Sequence, residues 1–256
     1  MRKKIFFLLW CCCCSFEVGA VTLSKQLAVE IGVFDAADVA FSYKEQDNSF
    51  HAKADILTTH TFDAFYPFHG LYESWGKITP AILPQLYQTY TKSRHHVRQK
   101  KIFYNPQGKA YKRLSIKDNQ SSEKEIKPLF VTAHAADAQT ILAELIHHFQ
   151  YTNSCALVRE IYDGKKHYKV FIKDMGLDTR FFEFNAHTEP ARLCLVYFEN
   201  LKDDDDDIMS KIGPDNPIKL WLGRHQQTKM PFVLEIGVDS TPLGALKVLP
   251  KTLELK

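Results

Sequence analysis

The sequence predicts a mainly β fold: one large curved antiparallel sheet or open barrel with one packed amphipathic helix. Three observations lead there. Apolar residues recur with a period of two through most of the chain. Turn signals rich in Gly, Pro, Asn and Asp separate those runs. One stretch alone, Asp137 to Phe149, switches to helical spacing. A sheet with so many strands must curl or close around an apolar interior.

From Lys25 onward, Leu27, Val29, Ile31 and Val33 fall on one face, and Val39, Phe41 and Tyr43 follow an Asp-Ala-Ala-Asp bend at Asp35 to Asp38. Phe50, Ala52, Ala54 and Ile56 continue the alternation, so half-buried antiparallel strands joined by short turns are expected. Val97 to Tyr104 and Lys109 to Ile116 read as a hairpin around Asn105-Pro106-Gln107-Gly108. Then comes the helix. Ala138, Ile141, Leu142, Leu145 and Phe149 form a single apolar stripe behind Asp137, an aspartate placed to cap. Ala156 to Tyr162 and Lys165 to Lys173 flank Asp163-Gly164, a strong hairpin signal. Leu193 to Phe198 reads as a strand buried on both sides, and Lys219 to Leu222, Pro231 to Val238 and Leu243 to Leu249 complete the set.

The first twenty residues have a different grammar. Met1-Arg2-Lys3-Lys4 is a basic start, Ile5 to Phe16 an apolar run, and Val18-Gly19-Ala20 a small-residue cleavage site. This predicts a signal peptide over 1–20, cut after Ala20, and an exported product. The apolar run is short for a membrane span, and no later stretch equals it without charges, so no transmembrane segment is expected after cleavage. Lipid attachment is disfavoured, because Trp10 precedes Cys11 where a small residue is needed. Residues 21–256 read as a single β-rich exported domain, with no repeat or linker to divide them.

Loss of Arg2, Lys3, Lys4 and Glu17 lowers the formal net charge from +3 to +1. Near neutrality there is none of the basic excess that phosphate backbones attract, so nucleic acid is not an expected partner. Of six cysteines, Cys11 to Cys14 leave with the signal and Cys155 and Cys194 remain. In an oxidising compartment a lone pair usually closes on itself; two separate buried thiols are the alternative.

The second half carries a familiar pattern. Cys155, then Ile161-Tyr162-Asp163-Gly164-Lys165-Lys166-His167-Tyr168, then Cys194 within Arg192-Leu193-Cys194-Leu195-Val196-Tyr197, resembles the bacterial exported family named only as domain of unknown function 3108. Lys219-Leu220-Trp221-Leu222, Met230 to Glu235 and Leu243-Gly244-Ala245-Leu246 are similar to that family's closing signature, and Tyr72-Glu73-Ser74-Trp75 to a piece of its first half. Gly223-Arg224 departs from it, standing where the pattern often has an acidic residue. The resemblance implies a periplasmic β-rich domain with a Cys155–Cys194 disulfide, and it transfers no catalytic residue. A likeness to the open barrels of lipoprotein carriers is an analogy of fold only.

Catalytic and metal signals are weak. Among eleven histidines, His95-His96 and His147-His148 are adjacent pairs whose rings diverge on strand or helix alike, and no spacing of the H-E-x-x-H kind occurs. Asp203 to Asp207 lacks the glycine spacing of a calcium loop and reads as a solvated charge run. Ser74 near Glu73 and His69 tempts as a nucleophile, yet proximity in sequence is not triad geometry. The expectation is no enzymatic activity, no cofactor and no metal site.

The densest signal is aromatic: Phe62, Phe65, Tyr66, Phe68, Tyr72 and Trp75 lie within Thr61 to Gly76. One reading is a ligand-binding segment covering the mouth of the curled sheet; the other is a helix-like connection that simply joins the core. The leading expectation is a periplasmic, non-enzymatic protein holding a hydrophobic or amphipathic envelope molecule, a lipid or lipoprotein acyl chain, in a curved-sheet cavity. The alternative is an envelope scaffold or assembly factor that binds a protein partner and fills its interior with its own side chains.

Overall fold

The computed structural model describes residues 21–126, 135–180, 182, 190–201 and 212–255. The expected signal peptide over 1–20 and the run Asp203 to Asp207 lie outside them. The first half of the chain forms β1 (Val21–Ile31), β2 (Phe34–Gln46), β3 (Ser49–Thr58), a short helix α1 (His60–Phe65), β4 (Phe68–Thr79), β5 (Ala81–Ser93), β6 (Val97–Tyr104), β7 (Ala110–Lys117) and β8 (Gln120–Glu125). After α2 (Ala138–Thr152) come β9 (Leu157–Tyr162), β10 (His167–Asp178), β11 (Ala191–Asn200), β12 (Ile218–Arg224), β13 (Pro231–Thr241) and β14 (Gly244–Leu255).

Among the described residues all fourteen strands belong to one sheet, ordered β8-β7-β6-β5-β4-β3-β2-β1-β14-β13-β12-β11-β10-β9. Every neighbour is antiparallel and next in sequence except β1 with β14. The first and last strands therefore lie at the centre, and the two edges are β8 and β9, the strands on either side of α2. That order sends the helix back across the concave face.

Strong twist curls the sheet until its edges approach. Tyr162 of β9 packs with Tyr87, Ile102, Tyr104 and Ala110 of β5 to β7. Lys100 Nζ and Arg113 Nη1 donate to the carbonyls of Asp163 and Gly164 in the β9–β10 turn. The β9 edge is blunted too: Ala136 N donates to Glu160 O and Tyr162 N to Ala136 O, each at 2.9 Å. The β9 edge thus meets β5 to β7 through side chains, and the residue before the α2 cap through one short bridge, rather than through a strand ladder with β8.

The helix is as expected. Asp137 caps it, accepting from Thr140 N at 2.9 Å, and Asn153 ends it in the left-handed conformation. Its buried residues serve two cores. Ala143 and Ile146 join Leu23, Tyr43, Phe50, Trp221 and Phe232, where the two halves of the sheet meet. Ile141, Leu145 and Phe149 join Val170, Leu220 and the Cys155–Cys194 disulfide. Both cysteines are fully buried, with Cα atoms 6.2 Å apart.

Two expectations are corrected. The chain reverses at Gly32-Val33, not at Asp35 to Asp38, and Val33 is 91% exposed rather than inward. Gly32 has φ +61°, and a Cβ there would meet Leu243 O at 2.7 Å, so glycine alone fits the turn. A register shift then places Ala36 as an extra residue in β2. The second correction is that Phe68 to Gly76, read as part of a connection, runs within a full strand, and β5 follows it. Gly70, Gly76 and Pro84 weaken the strand pattern, yet each has a reason. Pro84 sits opposite Gly76 at a register shift, and a Cβ on Gly76 would strike Leu83 O and the Phe50 ring at 2.3 Å.

Candidate functional site

Between α2 and the concave face lies a cavity of about 540 Å³. One wall is Ile141, Leu142, Leu145 and Ile146 of the helix. Leu23, Leu27, Val29, Ala37, Val39, Phe41, Ala54 and Ile56 of β1 to β3 form the second. The third comes from β9 to β14, including Ile161, Val170, Val196, Phe198, Ile218, Val233 and Val248. The volume falls within the ~300–1,000 Å³ of small-molecule sites, and a lining this apolar suits hydrocarbon.

The space persists because the helix is held by polar contacts at both ends and in the middle. At its start Asp137 accepts from Ser74 of β4 at 2.5 Å and lies 3.4 Å from the Tyr104 hydroxyl of β6. At its end Arg224 of β12 donates to Phe149 O and Gln150 O at 2.8 and 3.2 Å. Midway, Arg159 Nε of β9 donates to both carboxylate oxygens of Glu144, at 2.8 and 2.7 Å. So tethered, α2 spans the concavity instead of sinking onto β2 and β3, where Ala37 and Ala54 offer little bulk to fill it.

Among the described lining residues Lys25 carries the only charge. It is 3% exposed, donates from Nζ to Val233 O, and lies 4.7 Å from the centroid of the Phe232 ring. Burial pulls its pKa down from 10.5 to about 7. Near neutral pH the amine therefore exchanges between charged and uncharged forms inside an apolar chamber. Such a group suits a ligand that is apolar along its length with one polar acceptor.

None of the six aromatics singled out from sequence is among the lining residues. Phe62 and Tyr66 pair in and beside α1, with ring centroids 5.5 Å apart, and Phe65 and Tyr66 are 68% and 64% exposed. Phe68 begins β4, half-buried. Tyr72 packs against the Tyr87–Ile102–Tyr104 cluster inside the curl, whereas Trp75 stacks on His51 at 4.7 Å. A strand sends Tyr72 and Trp75 to opposite faces, so the structure does not gather these residues into one site.

The other candidates also separate. Ser74 is fully buried on Asp137, while His69 bonds Asp55 at 2.8 Å and Glu73 accepts from Gln88 at 2.7 Å, both in the opposite pleat of β4. No serine, histidine and carboxylate converge there. His96 bonds Asp118 at 2.9 Å, and His147 packs on Tyr151. Among the described residues no three His, Cys, Asp or Glu side chains are grouped to hold a metal ion, and no helix is long and apolar enough to cross a membrane.

No curated protein sequence matches the chain. A family model described as "Protein of unknown function (DUF3108)" matches residues 26–247. The chain belongs to this family. The match takes in all of the cavity lining except Leu23, Lys25 and Val248, so most of the chamber lies within the matched residues. Among solved structures, this DUF3108 protein is similar to the crystal structure of a beta-barrel-like protein of domain of unknown function DUF1849 from Brucella abortus. The TM-score is 0.52 at 8% identity, with 93% of this chain and 97% of that chain covered. At that identity the likeness is one of fold, and it agrees with a curled sheet that stops short of closing.

Sequence reasoning passed over the lining residues as ordinary strand alternation. A signal was present in Lys25, which shares parity with Leu23, Leu27 and Val29 on an otherwise apolar face. A lysine at an inward position is a buried charge, and those mark function more often than chance.

Proposed function

We propose that this DUF3108 protein is a non-enzymatic periplasmic carrier that holds one hydrophobic or amphipathic envelope molecule, an acyl chain of a lipid or lipoprotein, between α2 and the sheet. The carrying observation is the cavity of about 540 Å³ with its almost wholly apolar lining. Each methylene buried there contributes about 0.8 kcal/mol, so eight to ten give about 6–8 kcal/mol before ordering costs. Micromolar affinity corresponds to roughly −8 kcal/mol after those costs, so it requires burial of more than about ten methylenes. The scaffold alternative needs an interior filled by its own side chains, and the open chamber favours the carrier.

Binding of a fluorescent stearate probe tests this reading. Ala54 lies at the chamber wall and is small, so Ala54→Trp is designed to fill it. The expected result is saturable binding by the parent protein and affinity about tenfold weaker or worse in the variant, with the thermal midpoint nearly kept. Equal binding by both proteins would place the probe elsewhere and remove the chamber from the account.

A further inference from the structure

One end of the sheet collects apolar side chains that face solvent. Val33, at the tip of the β1–β2 turn, is 91% exposed, and Phe34 beside it is half exposed. Leu243 of the β13–β14 turn is half exposed, and the two turns are joined, since Gly32 N donates to Ala245 O at 2.8 Å. Next to them α1 is fastened to β2 by Thr59 N donating to Ala36 O at 3.1 Å. That helix brings Phe65 and Tyr66 to the same end, with Leu57 of β3 just before it. Soluble surfaces scatter such residues singly; a cluster of six along one rim marks a contact surface.

The rim continues the cavity wall. Val29 and Ala37 are paired lining residues, and the bulge at Ala36 restores the pleat so that the next inward pair is Ile31 with Phe34. Ala138, at the start of α2, lines the same chamber and is exposed to solvent. The apolar surface thus runs from solvent down into the chamber without a polar break at β1 and β2.

We infer that this rim docks on a lipid surface, with Val33, Phe65 and Tyr66 inserted among the acyl chains and the cavity mouth facing the bilayer. The choice of lipid as occupant rests on the carrier reading, because a ligand leaving a membrane would travel along this wall. Two further features favour it over a folded partner. The tips sit on two turns and a short helix rather than on one flat face, and a fluid surface accepts separate tips that a rigid partner would have to match. Charges at this end are mixed, with Asp35 and Asp63 against Arg94, whose Nη2 donates to Ala64 O at 2.6 Å. Apolar insertion rather than charge therefore drives docking, and zwitterionic vesicles suffice.

Flotation of the full chain with phosphatidylcholine vesicles tests the inference. The parent protein is expected to float, and the triple variant Val33→Ser, Phe65→Ser, Tyr66→Ser to float about tenfold less while keeping its thermal midpoint and its stearate probe binding. Absence of parent flotation would overturn the inference, as would undiminished flotation of the triple variant. So would a self-associated parent that the triple variant turns monomeric without any vesicle binding, which would assign the rim to a second copy. Ala54→Trp separates the two readings: if it leaves probe binding intact the carrier reading fails, whatever the flotation shows.

Discussion

Ser74 Oγ donates to Asp137 Oδ1 at 2.5 Å, joining the middle of β4 to the cap of α2 across 63 residues of sequence. Thr140 adds its backbone N–H at 2.9 Å and its hydroxyl at 2.7 Å to the same carboxylate, with Tyr104 nearby. All of this lies away from solvent, and burial pushes the Asp137 carboxyl up while the donors pull it back. The cluster fixes where the helix starts, and with it the height of the chamber roof.

Asp137→Ala removes a cap and leaves four buried donors, Ser74 Oγ, Tyr104 Oη and the Thr140 N–H and hydroxyl, without their acceptor. The expected cost is about 3 kcal/mol in urea unfolding, against about 1 kcal/mol for Ser74→Ala. Stearate probe binding should weaken in both, because the roof is no longer held. A cost for Asp137→Ala no larger than that of an exposed substitution would show that the helix is placed by packing alone.

Lys25 gives the fold a pH dependence of definite sign. Its folded pKa of about 7 lies below the unfolded 10.5, so between those values the unfolded chain binds the extra proton and stability rises with pH. Below pH 7 both states are protonated and the full burial cost is present. Lys25→Met is expected to stabilise at pH 6 by on the order of 3–4 kcal/mol and to flatten the slope between pH 7 and 9. The window stops there because burial also pushes Tyr43 and Tyr87 upward, and ionisation of these tyrosines in the unfolded chain takes over near pH 10. An unchanged slope in Lys25→Met would assign the dependence to other groups.

The disulfide closes a loop of separation 39 between the end of α2 and β11. Reduction should lower unfolding free energy by about 3–4 kcal/mol, read as a lower urea midpoint with a steeper slope, because the reduced unfolded chain is more expanded. The double variant Cys155→Ala, Cys194→Ala should match the reduced protein and show no response to reductant.

Lys100 and Arg113 hold the β9–β10 turn against β6 and β7, across the seam that the sheet leaves unpaired. Arg113→Ala together with Lys100→Ala should raise amide exchange at Tyr162, Gly164 and their neighbours by about tenfold or more, while β1 and β14 at the sheet centre stay protected. Uniform loosening across the whole sheet would show that the seam does not open as a separate unit.

The curled sheet and its helix were legible because period-two alternation, Asp-Gly and Asn-Pro-Gln-Gly turns and the Asp137 stripe are local signals. The true first turn was missed because Gly32 is defined by its close approach to Leu243, more than two hundred residues on. Strand β4 was obscured in the same way: Gly70 and Gly76 look like breaks until the Phe68, Tyr72 and Phe50 rings that crowd them are in place. Aromatic density drew the site toward Phe62 to Trp75, yet a chamber is made by what is missing. Ala37, Ala54 and a tethered helix leave no mark of their own in sequence, and only the inward parity of Lys25 hinted at it.

Native mass spectrometry of the protein purified from its own cells, beside Ala54→Trp prepared identically, asks whether the chamber holds an acyl chain. A co-purifying lipid or acyl mass is expected on the parent protein and is lost or sharply reduced in the variant. A bare parent mass that stays bare after incubation with phospholipid and fatty acid would contradict the carrier reading.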